Sequence, residues 1–320
     1  MKAINRILLA SLAAAATLLG GCEKETDITV NNTRVAACIT STIDAMATRA
    51  AGTTWAVDDA IGITTISPGY TSYTNIKYRA TTTDGVFIPT GRLPKDTIFF
   101  WDKSEVTFKA YYPYEGKNGD APGTNADGIL LKAITATDQT PDGQAKFDYL
   151  FATAKGSVDK SNVELRFTHR MSRIVLNFIA GDGLVSLDDF TYTVTGLPLE
   201  GTFDTNTGDA KVKAINTSTG TGDLSLAITS GGASTISSTL IVFPMEMPST
   251  PTRLSIIMNQ RTYGGNFKIP KYADNSNLYG FQPGYSYSYN VRVNNSKLVI
   301  TLAEIENWKE GDDQNINIKY

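Results

Sequence analysis

The residues of this chain that invite chemistry are few: one histidine, two cysteines and a scatter of carboxylates and tryptophans. His169 stands between Thr168 and Arg170 at the start of an apolar run. A catalytic histidine needs a nucleophile and an orienting acid, and no pattern around it supplies them, so it reads as structural. Asp204-Thr205-Asn206-Thr207-Gly208-Asp209 has the acidic spacing of a calcium loop. Asp209 stands where that loop needs glycine and Ile215 where it needs glutamate, so the stretch reads as a hairpin turn. Trp55, Trp101 and Trp308 could stack on a sugar ring, but such residues more often plug a core. No glycine-rich phosphate loop, nucleophile elbow or HExxH is present. The carboxylate pair of a glycosidase is neither signalled nor excluded. The expectation is therefore a protein without catalytic residues, metal or cofactor, and not an enzyme.

The cysteines carry a different chemistry. Lys2 and Arg6 precede an apolar stretch from Ile7 to Leu19, broken only by Ser11 and Thr17. It is short for a membrane span and suits a secretory signal peptide, residues 1–21. It ends in Leu19-Gly20-Gly21-Cys22, which resembles the lipobox of bacterial lipoproteins. Small residues there let a peptidase reach the bond, and the thiol becomes the thioether that carries diacylglycerol. Cys22 is the expected lipidation site, and several acyl chains hold a protein to a membrane far better than one. With Cys22 acylated, Cys38 is expected to be a small buried side chain or a free thiol.

Elements must position whatever surface function remains. The apolar share of 41% supports a real core, and a length of 320 residues exceeds one usual domain. The net charge of −3, without a dense Lys/Arg block, gives nothing to steer toward nucleic acid. Ile28–Ile43 is strand-like, rich in Val, Ile and Thr. It gives way to Asp44–Gly52, a small-residue stretch where a protease finds extended backbone. Val106, Phe108, Ala110 and Tyr112 alternate with Thr107, Lys109 and Tyr111, the period of a half-buried strand. Arg173–Ile179 is apolar on both faces and should be a central strand. Tyr285, Tyr287, Tyr289, Val291 and Val293 alternate with polar residues. Long amphipathic helices are not evident, and short helical turns are expected near Phe147–Ala152. Many short strands separated by turn signals predict an all-β chain of two sandwich domains, with the boundary near Gly181–Leu184.

Several segments, in this order, are together similar to the Bacteroidales fimbrillin family. They are Thr48-Arg49-Ala50, Trp55–Ile63, Val106–Tyr114, Asp148–Ala152, Phe167–Arg173, Pro283–Tyr287 and Ile305–Gly311. The resemblance implies two transthyretin-like β-sandwich domains in tandem after a lipoprotein signal peptide. It divides the chain into a propeptide and tether strand at 22–49, a first domain at 50–181 and a second at 182–320. It also implies that an arginine-specific protease cuts Arg49–Ala50, removing the N-terminal strand and opening a groove for a strand of the next subunit. The tail offers a donor within 312–320, where Ile316, Ile318 and Tyr320 alternate with polar residues and share one face. The expected partners are other fimbrillin subunits in a homo- or hetero-polymer, the outer membrane through the lipid anchor, and a host glycan or protein receptor. The expected location is the cell surface, in a fimbrium (type V pilus), as subunit or adhesin. The alternative is a monomeric surface lipoprotein that binds glycan or host protein.

Overall fold

The structure is a computed structural model and describes residues 34–43, 55–68, 72–92, 94–215, 218–246, 252–271 and 279–307. Its first unit contains strands β1 (Cys38–Ile43), β2 (Ala60–Ile66), β3 (Ile76–Ala80), β4 (Val86–Pro89) and β5 (Val106–Tyr112). After β6 (Ile129–Ala133), which lies in another sheet, come β7 (Leu150–Gly156) and β8 (Asn162–His169). Seven of these pair in the order β8–β1–β4–β3–β2–β5–β7, and β7 returns to β8, so the ring closes. A sandwich whose sheets are joined at both margins is topologically a barrel, and closure removes the exposed edges that invite aggregation. Its interior is filled by the inward halves of alternating strands, among them Ile39, Ile61, Ile63, Tyr78, Phe87, Phe108, Leu165 and Phe167, all buried.

The second unit is a two-sheet sandwich. It contains β9 (Ser172–Ala180), β10 (Phe190–Pro198), β11 (Glu200–Asp204), β12 (Ala210–Val212) and β13 (Thr221–Ile228). These are followed by β14 (Thr235–Val242), β15 (Arg253–Met258), β16 (Arg261–Asn266), β17 (Tyr285–Val293) and β18 (Leu298–Asn307). One sheet runs β14–β9–β17–β18 and the other β13–β10–β15–β16. A single apolar core, including Leu176, Phe178, Tyr192, Val194, Ile256 and Tyr289, joins them. As expected, β9 is central: it pairs antiparallel with β14 and parallel with β17.

Two expectations are corrected here. The division was expected at Gly181–Leu184, but β9 belongs to the second sandwich, so by sheet membership the units divide at Arg170–Met171, between β8 and β9. The helical turn lies not at Phe147–Ala152, where β7 begins, but at Pro141–Gln144, started by the Thr140 hydroxyl, which accepts from Gly143 N–H, and by Pro141 in the first turn.

The two units share a third apolar cluster. Strands β6, β11 and β12 form a three-stranded sheet that draws on both halves of the chain. Tyr149 and Phe203 stack with centroids 4.4 Å apart, beside buried Met171, Ile241 and Phe243. Just ahead of this layer, Gln139 covers the outer edge of β14. Its amide donates to Ile241 C=O (2.9 Å) and its carbonyl accepts Ile241 N–H (3.0 Å), while Gln144 donates to Thr239 C=O (2.8 Å). Side chains thus satisfy edge groups that would otherwise be buried without partners. Gln139→Ala is expected to lower stability by about 2–3 kcal/mol, the cost of orphaning a buried donor and acceptor, read as a lower urea midpoint at an unchanged slope.

Candidate functional site

The candidate site is the seat of β1 in the barrel. The segment begins at Arg34, whose guanidinium lies 4.3 Å over the Phe99 ring and 5.9 Å from that of Trp101. Val35 and Ala36 pair antiparallel with Phe100 and Phe99. Ala37 N–H then donates to Ile98 C=O and Cys38 N–H to Ser161 C=O, each at 2.9 Å. From Cys38 to Ile43 the strand runs parallel to β8, with Ile39 opposite Val163, Ser41 opposite Leu165 and Ile43 opposite Phe167. On its other side Ile39 faces Phe87 and Thr40 faces Val86 of β4.

Alternation decides which groups enter the core. Ile39, Ser41 and Ile43 point inward and are buried, while Thr40 and Thr42 are exposed. Each buried isoleucine contributes about 1.5–3 kcal/mol of apolar burial. Lifting this one segment away would leave the margins of β8 and β4 unpaired and expose a slot lined by Val163, Leu165, Phe167 and Phe87.

Two residues close the seat. Gly85 has φ +82°, and a Cβ there would lie 2.0 Å from Ser41 O and 3.2 Å from the Trp55 ring. Its carbonyl accepts Ser41 N–H at 2.8 Å. Only glycine allows this approach with that backbone. Trp55 is 3% exposed and meets Phe87, Phe167 and Tyr112 edge-on, with centroids 5.0, 5.3 and 5.4 Å away. It is the core plug that the sequence reading favours over sugar stacking.

Other sequence-derived candidates fall as follows. Cys22, Arg49, Ala50, Ile316, Ile318, Tyr320 and Trp308 lie outside the described residues. Asp204–Asp209 is the expected hairpin turn: Gly208, at φ +77°, donates to Asp204 C=O, and Asn206 N–H donates to the Asp204 carboxylate. His169 has the acid partner that sequence reasoning missed. Its Nδ1 lies 2.9 Å from Asp148 Oδ1, both residues are buried, and the pair ties the end of β8 to the residues before β7. In this structure Cys38 is disulfide-bonded, whereas the expected free or buried thiol applied to a chain acylated at Cys22.

At the other end of the described chain, burial first and then the hydrogen-bonded Glu304 carboxyl beside it push Glu306 up to about 7, while Arg173 opposes the rise. The folded state therefore binds this proton more tightly than the unfolded chain does. The pair favours folding at pH values below about 4.5, and that contribution fades as pH rises toward 7. Glu306→Gln is expected to flatten the stability profile between those values and to raise the urea midpoint at pH 8 relative to wild type.

With this geometry in view, the chain can be compared with known proteins. A family model described as fimbrillin-like matches residues 48–308. The candidate fimbrium subunit Fim1C of Bacteroides uniformis is 33% identical over 210 residues, covering 62% of this chain and 65% of its own length. The chain thus spans somewhat less than two thirds of that curated relative. A solved candidate cell adhesion protein from Bacteroides ovatus is 32% identical, with a TM-score of 0.71 over 87% of this chain and 99% of its own. A second, from Bacteroides uniformis, shares the fold at 21% identity, with a TM-score of 0.63 over 86% of this chain and 98% of its own.

Proposed function

Because the chain belongs to the fimbrillin-like family, we propose that it is a subunit of a cell-surface fimbria, structural or adhesive, that assembles by exchange of an edge strand. One observation carries this reading. Residues 34–43, which precede Arg49 in sequence, fill one position of a closed ring as the parallel neighbour of β8. Cutting at Arg49–Ala50 severs that segment from the rest of its barrel. Once it departs, the slot offers unpaired backbone and apolar pockets to a strand from another subunit.

In this reading the precursor is exported with Cys22 acylated and reaches the outer membrane on that anchor. Processing at Arg49 then frees it for assembly with other subunits, of the same or another kind. The tail residues Ile316, Ile318 and Tyr320 are the proposed donor face toward a neighbour, and a host glycan or protein is the proposed target of an adhesive member. Acylation of Cys22 and a disulfide to it are mutually exclusive, because one sulfur cannot hold both bonds. The lipidated precursor therefore has Cys38 as a thiol.

Mass spectrometry of native material tests the scheme. The expected membrane form carries diacylglycerol on Cys22 and takes up one alkylating group at Cys38. The expected fimbrial form begins at Ala50. A surface protein that always retains residues 34–49 would refute the processing step, and a non-acylated Cys22 would refute the anchor. Deleting residues 315–320 and finding assembly intact would exclude the tail as donor.

A further inference from the structure

Resting on the strand-exchange reading, we infer that the slot selects its occupant by size at one central position: it takes a strand with a large aliphatic residue, a small residue and a large aliphatic residue on its inward face. The argument begins with Ser41. Its side chain is 3% exposed, and its hydroxyl has no hydrogen-bond partner among the described residues. A buried hydroxyl without a partner is a cost, so polarity is not what the site uses. What remains of serine is its small volume.

The surroundings explain why volume matters there. The Ser41 layer lies between the Ile39 layer, which faces Val163 and Phe87, and the Ile43 layer, which faces Phe167. Trp55 meets both Phe87 and Phe167, so the indole spans the level between them. At that level the strand on one side of β1 presents Gly85, whose missing side chain leaves the Trp55 ring 3.2 Å from where a Cβ would stand. The other side presents Leu165, fully buried. The layer is thus built from one indole, one leucine, a glycine and a serine, and the two small residues complement the largest one. A larger residue at position 41 would have to displace the indole or the leucine, and overpacking of a filled core is resisted. The layers above and below accept isoleucine.

The inward sequence Ile39-x-Ser41-x-Ile43, held parallel to β8, is therefore the best-fitting template for this slot. The tail face Ile316-x-Ile318-x-Tyr320 is large at its middle position. By this rule it fills the slot less tightly than the native strand and takes it only once cleavage has released β1. Trp55 and Gly85 are the residues that set the selectivity, and both remain with the subunit after cleavage at Arg49.

The test uses peptides, so that folding of a variant does not obscure the result. The precursor is cut with an arginine-specific protease at a concentration low enough that it stays monomeric, and freed of its N-terminal fragment. Labelled peptides spanning Arg34–Ile43 are then titrated by fluorescence anisotropy: native, Ser41→Ala and Ser41→Leu. The Ser41→Ala peptide is expected to bind at least as tightly as native, and Ser41→Leu at least tenfold more weakly. Equal binding of the leucine peptide overturns the size rule while leaving strand exchange intact. Failure of all three, native included, overturns strand exchange and this inference with it. A second measurement uses the uncut precursor, in which S41A is expected to keep the melting temperature and S41L to lower it. An S41L precursor as stable as wild type counts against the rule.

Discussion

Digesting the purified precursor with an arginine-specific protease is expected to produce ladders of oligomers on a gel, and Arg49→Ala is expected to abolish them. The effect should be nearly all-or-none because the closed ring offers no vacancy while β1 is in place. Its neighbours on either side are satisfied by backbone pairing along Asn162–Phe167 and at Val86 and Phe87. While the segment is covalently attached, any incoming strand competes against an intramolecular occupant at high effective concentration. Cleavage removes that advantage without altering a single contact. Clean cutting at Arg49 that leaves only monomers would instead favour a surface protein that works alone.

Replacing Ile39 by aspartate should open the same slot without any protease. Ile39 is 1% exposed, between Val163 and Phe87. A carboxylate there has no cationic partner on either facing residue, and burying an uncompensated charge costs about 3–5 kcal/mol. That is comparable to what the two inward isoleucines of the strand contribute, so the least costly response is to expel β1 and keep the rest of the barrel. Hydrogen exchange is the readout. Backbone amides of β8 that pair with β1 should lose protection, while those of β9 and β17 in the second sandwich should keep it. The double variant I39D/R49A should form ladders that R49A alone cannot. Unchanged protection on β8 would mean that the strand is held by something other than its inward side chains, and the account of the seat would fail.

Much of the fold can be read from residue order because alternation is a local signal. The Val106–Tyr112 and Tyr285–Val293 patterns alternate, and both are strands that bury one face in a core along most of their length, although Tyr111 and Ser286 on the opposite face are buried as well. Arg173–Ile179 is apolar on both faces, and it lies between two partners. The choice of partners is not local. Gly181-Asp182-Gly183 marks where β9 stops, but nothing in that turn says that β9 pairs with β14 and β17 rather than with the strands before it. This is why the expected boundary fell on the wrong side of the strand. The helical turn had a visible signal, Thr140 followed by Pro141, which the apolar run beginning at Phe147 outweighed. Asp148 and His169 are far apart in sequence, and so are Gln139 and Ile241, so their pairing is visible only in space. At the seat itself the strand character of Ile28–Ile43 was legible, but not that Ile39, Ser41 and Ile43 are the residues that face inward. The need for glycine at position 85 was not legible either, since Asp84-Gly85 looks like any turn until a second backbone is found against it.

The direction of β1 beside β8 has a consequence for the shape of what these molecules build. A donor that takes over the same hydrogen-bond ladder must point the same way, from the Asn162 end toward the Phe167 end. Each junction then joins two unlike surfaces, the strand of one molecule and the slot of the next. Where the step from one molecule to the next closes neither a ring nor a reciprocal pair, the contact stays open. It yields a fibre with a distinguishable front and back, lengthening from whichever end leaves its slot open and stopping when that slot is sealed.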